Sequence, residues 1–288
     1  MSIRRVKFTK MSGAGNDFVV IDNRDQVLES DASDFARVVS ERRRGVGADG
    51  VILLEESTTA DFLMNYYNAD GSYGGFCGNG GRCIARYAHM NKIAPAQLTF
   101  ESLGHIYSAE VLEGRVRLKM KDSRNERLNV TLERNGESLR MHSVDTGAPH
   151  VVLFLDENAQ IGMNELSTLD LVRIGRSIRN HSYFGDAGTN VNLVKLNENH
   201  SLSIRTYERG VEDETLACGT GSVASGLLAS RVKGLKSPVK VIPKSGEPLV
   251  VEFENQGDHF RDVYLEGNAE IVFEGELKFD VLRKKIVE

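Results

Sequence analysis

Cysteine is scarce in this sequence. The 288-residue chain contains three cysteines, Cys77, Cys83 and Cys218. Three is too few for a disulfide framework, and the odd number indicates reduced thiols, which are typical of cytoplasmic proteins. We therefore expect a cytoplasmic protein whose cysteines act, where they act at all, as thiols.

Long apolar runs and an excess of basic residues are also missing. No stretch approaches the roughly 20 apolar residues of a membrane-spanning helix. No apolar segment follows the first charged residues, so we expect no secretory signal. The formal net charge is -5, which gives no reason to expect nucleic-acid binding. With 40% hydrophobic and 27% charged residues, the chain is an ordinary globular protein of one large or two medium domains, and a small molecule is its expected partner.

Signatures of common cofactors are absent or stand in the wrong context. Gly-x-Gly-x-x-Gly at 45–50 spells the dinucleotide fingerprint, but a predicted helix precedes it and a strand follows, the reverse of the required order. We therefore predict a helix-to-strand turn there. No Gly-Lys-Ser/Thr occurs, and the spacing of Cys77, Cys83 and His89 matches no compact zinc site. We expect no metal and no cofactor, although the lysines alone leave a pyridoxal phosphate Schiff base open.

The most informative feature is a short motif that occurs twice, Cys-Gly-Asn-Gly at 77–80 and Cys-Gly-Thr-Gly at 218–221. Each motif precedes a segment with the apolar spacing of an amphipathic helix, and Cys83 belongs to the first apolar stripe. Each motif cysteine is thus predicted at a helix N-terminus, where unpaired N–H groups and the helix dipole bind anions and lower the pKa of a thiol. A single such cysteine is usually a small buried residue. Two copies favour a pair of reactive thiols.

The two halves of the chain have a similar order of predicted elements. In each, a strand–turn–strand around Gly15 or Gly147 precedes a helix, two strands and a cysteine motif. This order suggests an internal duplication, with the boundary in the polar segment 121–137 and a ligand cleft between the halves. We predict an α+β fold in which each half is a β-sheet wrapped around a central helix. Besides the two cysteine helices, helices are predicted at 34–44 and 169–179, strands at 51–54, 62–67, 191–196 and 202–207, a strand pair in 97–120, and strands and turns over 239–279.

Other polar residues have ordinary explanations when each is considered alone. His150 starts a strand and is more simply a structural histidine, and Glu208 with Arg209 fits a surface ion pair. Turn chemistry explains the asparagines, namely Asn16, Asn68, Asn79, Asn190 and Asn192.

Taken together, however, the motifs resemble the diaminopimelate epimerases, cofactor-independent amino-acid racemases and epimerases with two catalytic cysteines. The matching segments run in the family's order along nearly the whole chain, at 13–18, 44–50, 68–72, 77–83, 188–192, 208–210 and 214–221. The resemblance implies two pseudo-symmetric halves, 1–122 and 123–272, with a C-terminal strand in 273–288 packing back on the first half. It also implies a homodimer that converts LL-2,6-diaminopimelate to the meso form for lysine and peptidoglycan synthesis.

Site residues carried over by this resemblance fall into three groups. Cys77 and Cys218 are the acid–base pair, and His150 and Glu208 assist them. The remaining positions bind substrate, those around the cysteines at the reacting carboxylate and most of the others at the distal end: Asn16, Asn68, Gly78, Asn79, Gly80, Asn190, Glu208, Arg209, Gly219 and Thr220.

This chain departs from the family pattern at three places. Ala148 replaces an asparagine that contacts the distal end of the substrate, the loop at 208–215 is one residue longer, and Gly-Gly-Phe at 74–76 replaces a segment in which an acidic residue and methionine are frequent. A racemase of another amino acid, such as glutamate or proline, is therefore one alternative. A binding protein or a redox sensor with a Cys77–Cys218 disulfide is another, and would require Cα atoms within about 7 Å. Turnover without added cofactor separates the enzyme from the latter.

Overall fold

The computed structural model describes residues 3–134, 136–159, 162–257 and 259–287. The chain forms two compact units, one of residues up to Leu118 with those from Gly267 onward, and one of Lys119–Glu266. The predicted α+β class with two similar halves is confirmed, while the predicted boundaries at 122 and 272 stay a prediction. No helix in this described part of the chain is long and apolar enough to cross a membrane.

The first unit contains strands from both ends of the chain. Its strands and helices are β1 (Ile3–Gly13), β2 (Asn16–Asp22), α1 (Ala32–Val39), β3 (Gly50–Glu55), β4 (Phe62–Asn68), α2 (Gly78–Met90), β5 (Gln97–Ser102), β6 (His105–Val111), β7 (Arg115–Lys119), β17 (Glu270–Asp280) and β18 (Lys285–Val287). In the sheet, β1 lies between β17 and β2, antiparallel to both, and β18 pairs with β17. From β2 to β7 the neighbours are parallel, antiparallel, parallel, antiparallel and antiparallel.

The second unit repeats this arrangement. Its elements are β8 (Arg124–Arg134), β9 (Glu137–Asp145), β10 (Pro149–Phe154), α3 (Leu171–Arg179), β11 (Asn190–Leu196), β12 (Leu202–Glu208), β13 (Asp213–Thr215), α4 (Gly219–Lys233), β14 (Val239–Ile242), β15 (Leu249–Asn255) and β16 (Phe260–Asn268). β9 is antiparallel to β8 and β10, and β10–β11–β12–β14–β15–β16 repeat the order of parallel and antiparallel pairs. Short 3-10 turns occur at Glu29–Asp31, Leu155–Glu157, Leu166–Thr168 and Ser182–Phe184.

Strand registers make the two units comparable residue by residue. In the first unit, Val19, Val51 and Tyr67 pair across β2, β3 and β4. In the second, valine, valine and tyrosine again pair across β10, β11 and β12, at 151, 191 and 207. The same registers align β2 with β10, β3 with β11 and β4 with β12, which supports the predicted internal duplication.

Each cysteine helix is the centre of its unit's core. α2 packs against β1, β2, β3, β4 and β6, and α4 packs against β9, β10, β11, β12, β14 and β15. The predicted apolar stripes are buried, and their members are Cys83, Ile84, Tyr87 and Ala88 in α2 and Val223, Ala224, Leu227 and Leu228 in α4. The predicted sheet around a central helix is therefore confirmed in each unit.

Two local predictions were wrong. α1 ends at Val39 rather than at 44, because the chain turns back and the N–H of Gly47 donates to the Val39 carbonyl at 2.9 Å. Residues 97–120 form three strands rather than two, since turns occur at both Gly104 and Gly114, where φ is +68° and +75°. The polar segment at 121–137 contains β8, a largely exposed strand, so its polarity reflects exposure.

Candidate active site

Cys77 and Cys218 occupy the same position at the start of α2 and α4. Each is the residue immediately before its helix, with extended backbone angles (φ, ψ) of -121°, 119° and -117°, 112°. The Cys77 carbonyl accepts from the N–H of Gly81 at 2.7 Å, and the Cys218 carbonyl from that of Ser222 at 2.9 Å. The predicted helix N-terminal positions are confirmed. Each thiol therefore lies where the helix dipole favours negative charge.

In the first unit, the Asn79 side chain is held from two sides. Its Nδ2 donates to Asn16 Oδ1 at 2.6 Å, and its Oδ1 accepts from Arg82 Nη2 at 2.8 Å. Asn16 Nδ2 in turn donates to Asp49 Oδ2 at 2.9 Å. Arg82 is fully buried, so this amide chain is fixed at the helix start next to Cys77.

The Gly-x-Gly-x-x-Gly segment supports that chain of amides. It connects α1 to β3, as predicted, and Asp49 near its end binds Arg42 at 2.7 Å. Arg42 also binds Asp17 at 2.8 Å, and Lys10 binds Asp17 at 2.7 Å. Burial alone would raise the pKa of Asp17, but hydrogen bonds from Arg42 and Lys10 lower it to about 2. The ion pairs of this loop therefore fix Asp49, the hydrogen-bond partner of Asn16. The loop is not a phosphate-binding turn.

Asn68 makes a hydrogen bond that is separate from the one between Asn16 and Asn79. It ends β4, and its Nδ2 donates to Ser72 Oγ at 3.0 Å. A Cβ on Gly74 would lie 2.4 Å from the Tyr66 ring and 2.9 Å from Asn68 Oδ1, so glycine is required there. Phe76 stacks on Tyr107 with ring centroids 3.9 Å apart. These two contacts explain the unusual Gly-Gly-Phe segment before Cys77 as local packing.

In the second unit, Thr220 connects His150 to Cys218. His150 Nε2 lies 2.9 Å from Thr220 Oγ1, which lies 3.5 Å from Cys218 Sγ. His150 is 1% exposed. Burial, together with the positive charge of Arg209, lowers the pKa of His150 to about 3, so the ring is neutral at physiological pH. His150 therefore reaches the thiol through a hydroxyl, not directly.

Glu208 reaches the same thiol from the end of β12. Burial raises the pKa of its carboxyl group above the ordinary value, and interactions with Thr215 and Cys218 act in the opposite direction. A carboxylate with a raised pKa is a stronger proton acceptor than an exposed one. The second unit therefore brings together four predicted site residues, which are Cys218, Thr220, His150 and Glu208.

Asn190 and Arg209 form a separate group. Asn190 Nδ2 donates to the Pro149 carbonyl at 2.9 Å, and its Oδ1 accepts from the Arg209 backbone N–H at 2.9 Å. The Arg209 guanidinium donates to the Ala187 carbonyl at 3.3 Å and is partly exposed. Asn190 thus fixes the backbone that carries Arg209.

Asn192 is the residue at this site whose role sequence reasoning missed. It lies in β11, fully buried, within the strand predicted at 191–196, although turn chemistry was offered as the reason for an asparagine there. Its Nδ2 lies 3.2 Å from His150 Nδ1 and donates to the Val151 carbonyl at 2.9 Å, while its Oδ1 accepts from Thr206 Oγ1 at 2.9 Å. Strand alternation places Asn192 on the same face as Asn190, a signal that was available in the sequence.

Within the described residues, no group of three or more His, Cys, Asp and Glu side chains is arranged to hold a metal ion. The polar groups that the cysteine helices do offer are amides, a hydroxyl and main-chain N–H groups. Such donors suit an anion such as a carboxylate.

Solved structures with this fold include amino-acid racemases and epimerases. A hydroxyproline epimerase from Agrobacterium vitis matches with a TM-score of 0.69 at 15% identity, covering 96% of this chain and 93% of the other. A probable proline racemase from Agrobacterium radiobacter K84 matches with a TM-score of 0.68 at 15% identity, covering 94% and 92%. At these identities the likeness defines the fold alone.

Sequence comparison is more specific. The diaminopimelate epimerase family model matches residues 8–133 and 142–272. Diaminopimelate epimerases from Chlorobaculum tepidum and Hydrogenobaculum sp. are 46% and 42% identical, over 92% and 95% of this chain and 98% and 99% of their own lengths. The chain belongs to the diaminopimelate epimerase family, and the resemblance predicted from its motifs is confirmed.

Proposed function

We propose that the protein is a cofactor-independent isomerase that inverts one α-carbon of LL-2,6-diaminopimelate to give the meso form. In a chain of this family, the observation that carries the proposal is the pair of cysteines at equivalent helix N-termini of two duplicated units. The product supplies lysine and peptidoglycan synthesis, and the cytoplasm is the proposed location. We propose further that the two compact units are the two catalytic halves.

Inversion requires that a proton leave one face of the α-carbon and another arrive at the opposite face. A thiolate on one face removes the proton, and a thiol on the other donates one, so no cofactor is needed. The carbanion-like transition state spreads negative charge into the substrate carboxylate. Fixed main-chain N–H groups and helix dipoles stabilise that charge without reorganising. In this role Cys77 and Cys218 are the acid–base pair.

The carboxylate of the reacting carbon is proposed to lie against the two helix starts. There, Gly78 and Gly219 leave the main chain accessible, Gly80 is buried against Ile52 and would offer its N–H alone, and Asn79 and Thr220 contribute side chains. Asn79 is prepositioned by Asn16 and Arg82, so little ordering is needed when substrate binds.

Glu208 is proposed to assist Cys218 directly. Because its carboxylate interacts with Cys218 and its pKa is raised by burial, it is suited to take the thiol proton and leave the thiolate. This contact favours the assisting role of Glu208 over a contact with the distal ammonium group. His150 is proposed to assist Cys218 through Thr220.

Recognition of the distal amino-acid end is proposed to fall to Arg209, Asn190 and Asn68. Arg209 presents a planar guanidinium that binds a carboxylate with two parallel hydrogen bonds. Its backbone is fixed by Asn190, which supports a defined position for the guanidinium. A site with such groups rejects substrates that lack a distal carboxylate, because its own polar groups would stay unpaired.

Isotope incorporation tests the two-thiol mechanism. The purified protein, with chelator and no added cofactor, is incubated with LL-diaminopimelate in deuterated water, and the products are resolved by chiral chromatography and mass spectrometry. Early meso product should carry deuterium at the inverted carbon, while remaining LL substrate is nearly unlabelled. Early product that keeps its protium would refute two separate bases.

Parallel incubations test the substrate. Glutamate and proline should not be racemised at a comparable rate, and racemisation of either in preference to diaminopimelate would favour the alternative activity. A homodimer is proposed from family membership, and light scattering of the purified protein measures it.

A further inference from the structure

Asn192 has no assigned role, yet it is buried against the histidine of the candidate site. We propose that Asn192 is a positioning residue that holds His150 as the tautomer protonated at Nε2, so that the ring donates to Thr220 and the Thr220 hydroxyl donates to Cys218. His150 then acts as a hydrogen-bond donor that stabilises the Cys218 thiolate, not as the base that creates it. This inference rests on the proposed function of Cys218 as an acid–base group.

The orientation of the Asn192 amide is fixed by its neighbours. Its Nδ2 lies 2.9 Å from the Val151 carbonyl, which accepts only, and its Oδ1 lies 2.9 Å from Thr206 Oγ1. A flipped amide would place two acceptors, the oxygen of Asn192 and that of Val151, against each other. The same Nδ2 therefore presents its second hydrogen to His150 Nδ1, 3.2 Å away.

The tautomer of His150 follows from that contact. Because Asn192 Nδ2 is a donor, His150 Nδ1 must be an acceptor and carry no proton. A neutral ring then carries its proton on Nε2, which lies 2.9 Å from Thr220 Oγ1. Burial keeps the ring neutral, since it lowers the pKa of His150 far below the ordinary range.

The hydroxyl of Thr220 links the His150 ring to the Cys218 sulfur, because it can accept from one and donate to the other. Having accepted from His150, it directs its single hydrogen elsewhere, and Cys218 Sγ is 3.5 Å away. The thiolate would then accept from Thr220 on one side and from protonated Glu208 on the other. Within the described part of the chain, the charged groups that act on this cluster are Glu208 at the end of β12 and Arg209 directly after it.

Packing encloses the amide. Asn192 is fully buried, and a Cβ on Gly221 would lie 2.5 Å from Asn192 Oδ1 and 3.3 Å from Cys218 Sγ. Glycine at 221 thus lets the helix start rest on the amide. The first unit has Ile52 at the strand position of Asn192, so Cys77 provides an internal comparison.

The first test is nuclear magnetic resonance of the whole protein with 15N-labelled histidine, with His150 assigned by loss of its signal in His150→Gln. Wild type should show His150 protonated at Nε2 and bare at Nδ1 from pH 6 to pH 9. A ring protonated at Nδ1 would overturn the proposal without any variant. No substrate is present, so failure here is separate from failure of the proposed enzyme activity.

The second test follows the thiols by 13C labelling of the three cysteines at Cβ, whose shifts report thiolate formation with pH. Asn192→Leu should leave His150 as a mixture of tautomers and raise the pKa of Cys218 by about one pH unit or more, the effect of losing a hydrogen bond to a charged group. The pKa of Cys77 should not change. An unchanged Cys218 titration in a folded Asn192→Leu protein would overturn the proposal.

A pair of substitutions at His150 keeps the test decisive if Asn192→Leu does not fold. Glutamine can place a donor near the position of Nε2, and asparagine, which is shorter, cannot. His150→Gln should therefore keep the Cys218 titration near that of wild type, and His150→Asn should shift it upward. The reverse order, or equal shifts, would identify the ring as a proton acceptor instead. Ile52→Val is the matched control in the first unit and should leave Cys218 unchanged.

Discussion

The two units use the same strand order but surround their cysteine helices differently. Beneath the start of α2, a Cβ on Gly80 would meet the Ile52 side chain at 2.9 Å, whereas in the second unit the equivalent Gly221 faces Asn192. Neighbouring strand positions are also more polar in the second unit, because His150 and Thr206 lie where the first unit has Phe18 and Tyr66.

This difference separates what the fold requires from what the chemistry requires. An apolar side chain under the glycine is sufficient for packing, as the first unit shows. A fully satisfied polar network at the same place is a more demanding solution, because each buried group needs a partner. The second unit therefore keeps its network for an electrostatic effect on Cys218. The first unit has its own polar chain, which instead runs from Asp49 through Asn16 to Asn79.

The largest expected effect tests whether both thiols are essential despite these different surroundings. Cys77→Ala and Cys218→Ala should each reduce epimerisation by about 10³-fold or more, since each removes the acid or base on one face. Chiral chromatography of product measures the loss. Cys83→Ala, a change in the buried stripe of α2, is the control and should keep most of the activity. Turnover within about tenfold of wild type in either of the first two variants would break the proposed equivalence.

The next effect compares the two glycines beneath the helices. Gly221→Ala should destabilise the protein by about 2–3 kcal/mol, because the new methyl group would collide with an amide held by three hydrogen bonds. Gly80→Ala should cost about 1 kcal/mol or less, since the end of the Ile52 side chain can move and alanine favours the helix. Urea unfolding of the two variants measures the difference. Equal losses of unfolding free energy in the two variants would mean that the Asn192 amide moves aside as easily as the Ile52 side chain.

A third comparison concerns how His150 and Asp17 make the free energy of unfolding depend on pH. The unfolded chain protonates His150 below roughly pH 6.5, but the folded protein does so only near pH 3. The free energy of unfolding should therefore fall as pH decreases through this window, by at most about 1.4 kcal/mol per pH unit from this group. In the first unit, the lowered pKa of Asp17 contributes stability above its ordinary pKa, which is lost only as pH falls towards about 2.

Unfolding in urea at pH 6.5 and pH 5 separates the two contributions. His150→Gln should lose less stability than wild type between these values, by about 1–2 kcal/mol. Asp17→Asn should show the wild-type pH dependence over the same interval, because that carboxylate is ionised throughout it. An unchanged pH dependence in His150→Gln would show that the ring already binds a proton in the folded protein.

The smallest expected effect concerns Ala148, which precedes His150 by two residues as Asn16 precedes Phe18, the equivalent of His150 by register. Ala148→Asn should be tolerated, since the residue is only half-buried, and should lower KM for diaminopimelate by up to about tenfold through one added hydrogen bond. Steady-state kinetics measures it. Loss of binding with the fold intact would show that this pocket differs from the family pattern and would weaken the substrate assignment.

Sequence reasoning succeeded where the determinants are local. The cysteine motifs and their apolar stripes predicted α2, α4 and the burial of residues such as Cys83 and Leu227, because helix periodicity is visible in a short window. The end of α1 was misplaced since only the folded chain brings Gly47 back to Val39. The strand β8 within 121–137 was missed because an exposed strand and a linker have similar composition, while the boundary placed there stays a prediction.

The connections at the candidate site could not be predicted in this way. Asn192, His150 and Thr220 come from three elements, β11, β10 and α4, and only strand register and helix packing bring them into contact. Their roles as individual polar residues looked ordinary. The family resemblance supplied His150 and Thr220, whereas Asn192 required the coordinates of its hydrogen bonds.

The antiparallel pairing of β1 with β17 has a consequence for synthesis on the ribosome. Ile3 pairs with Asp280 and Ser12 with Glu270. The first strand to be synthesised can therefore pair with β17 only after nearly the whole chain has been made. The unit formed by Lys119–Glu266 is continuous and can complete its sheet while the chain is still being translated. Limited proteolysis of stalled nascent chains should therefore find this later-coded unit protected first, and the earlier-coded one protected only after release.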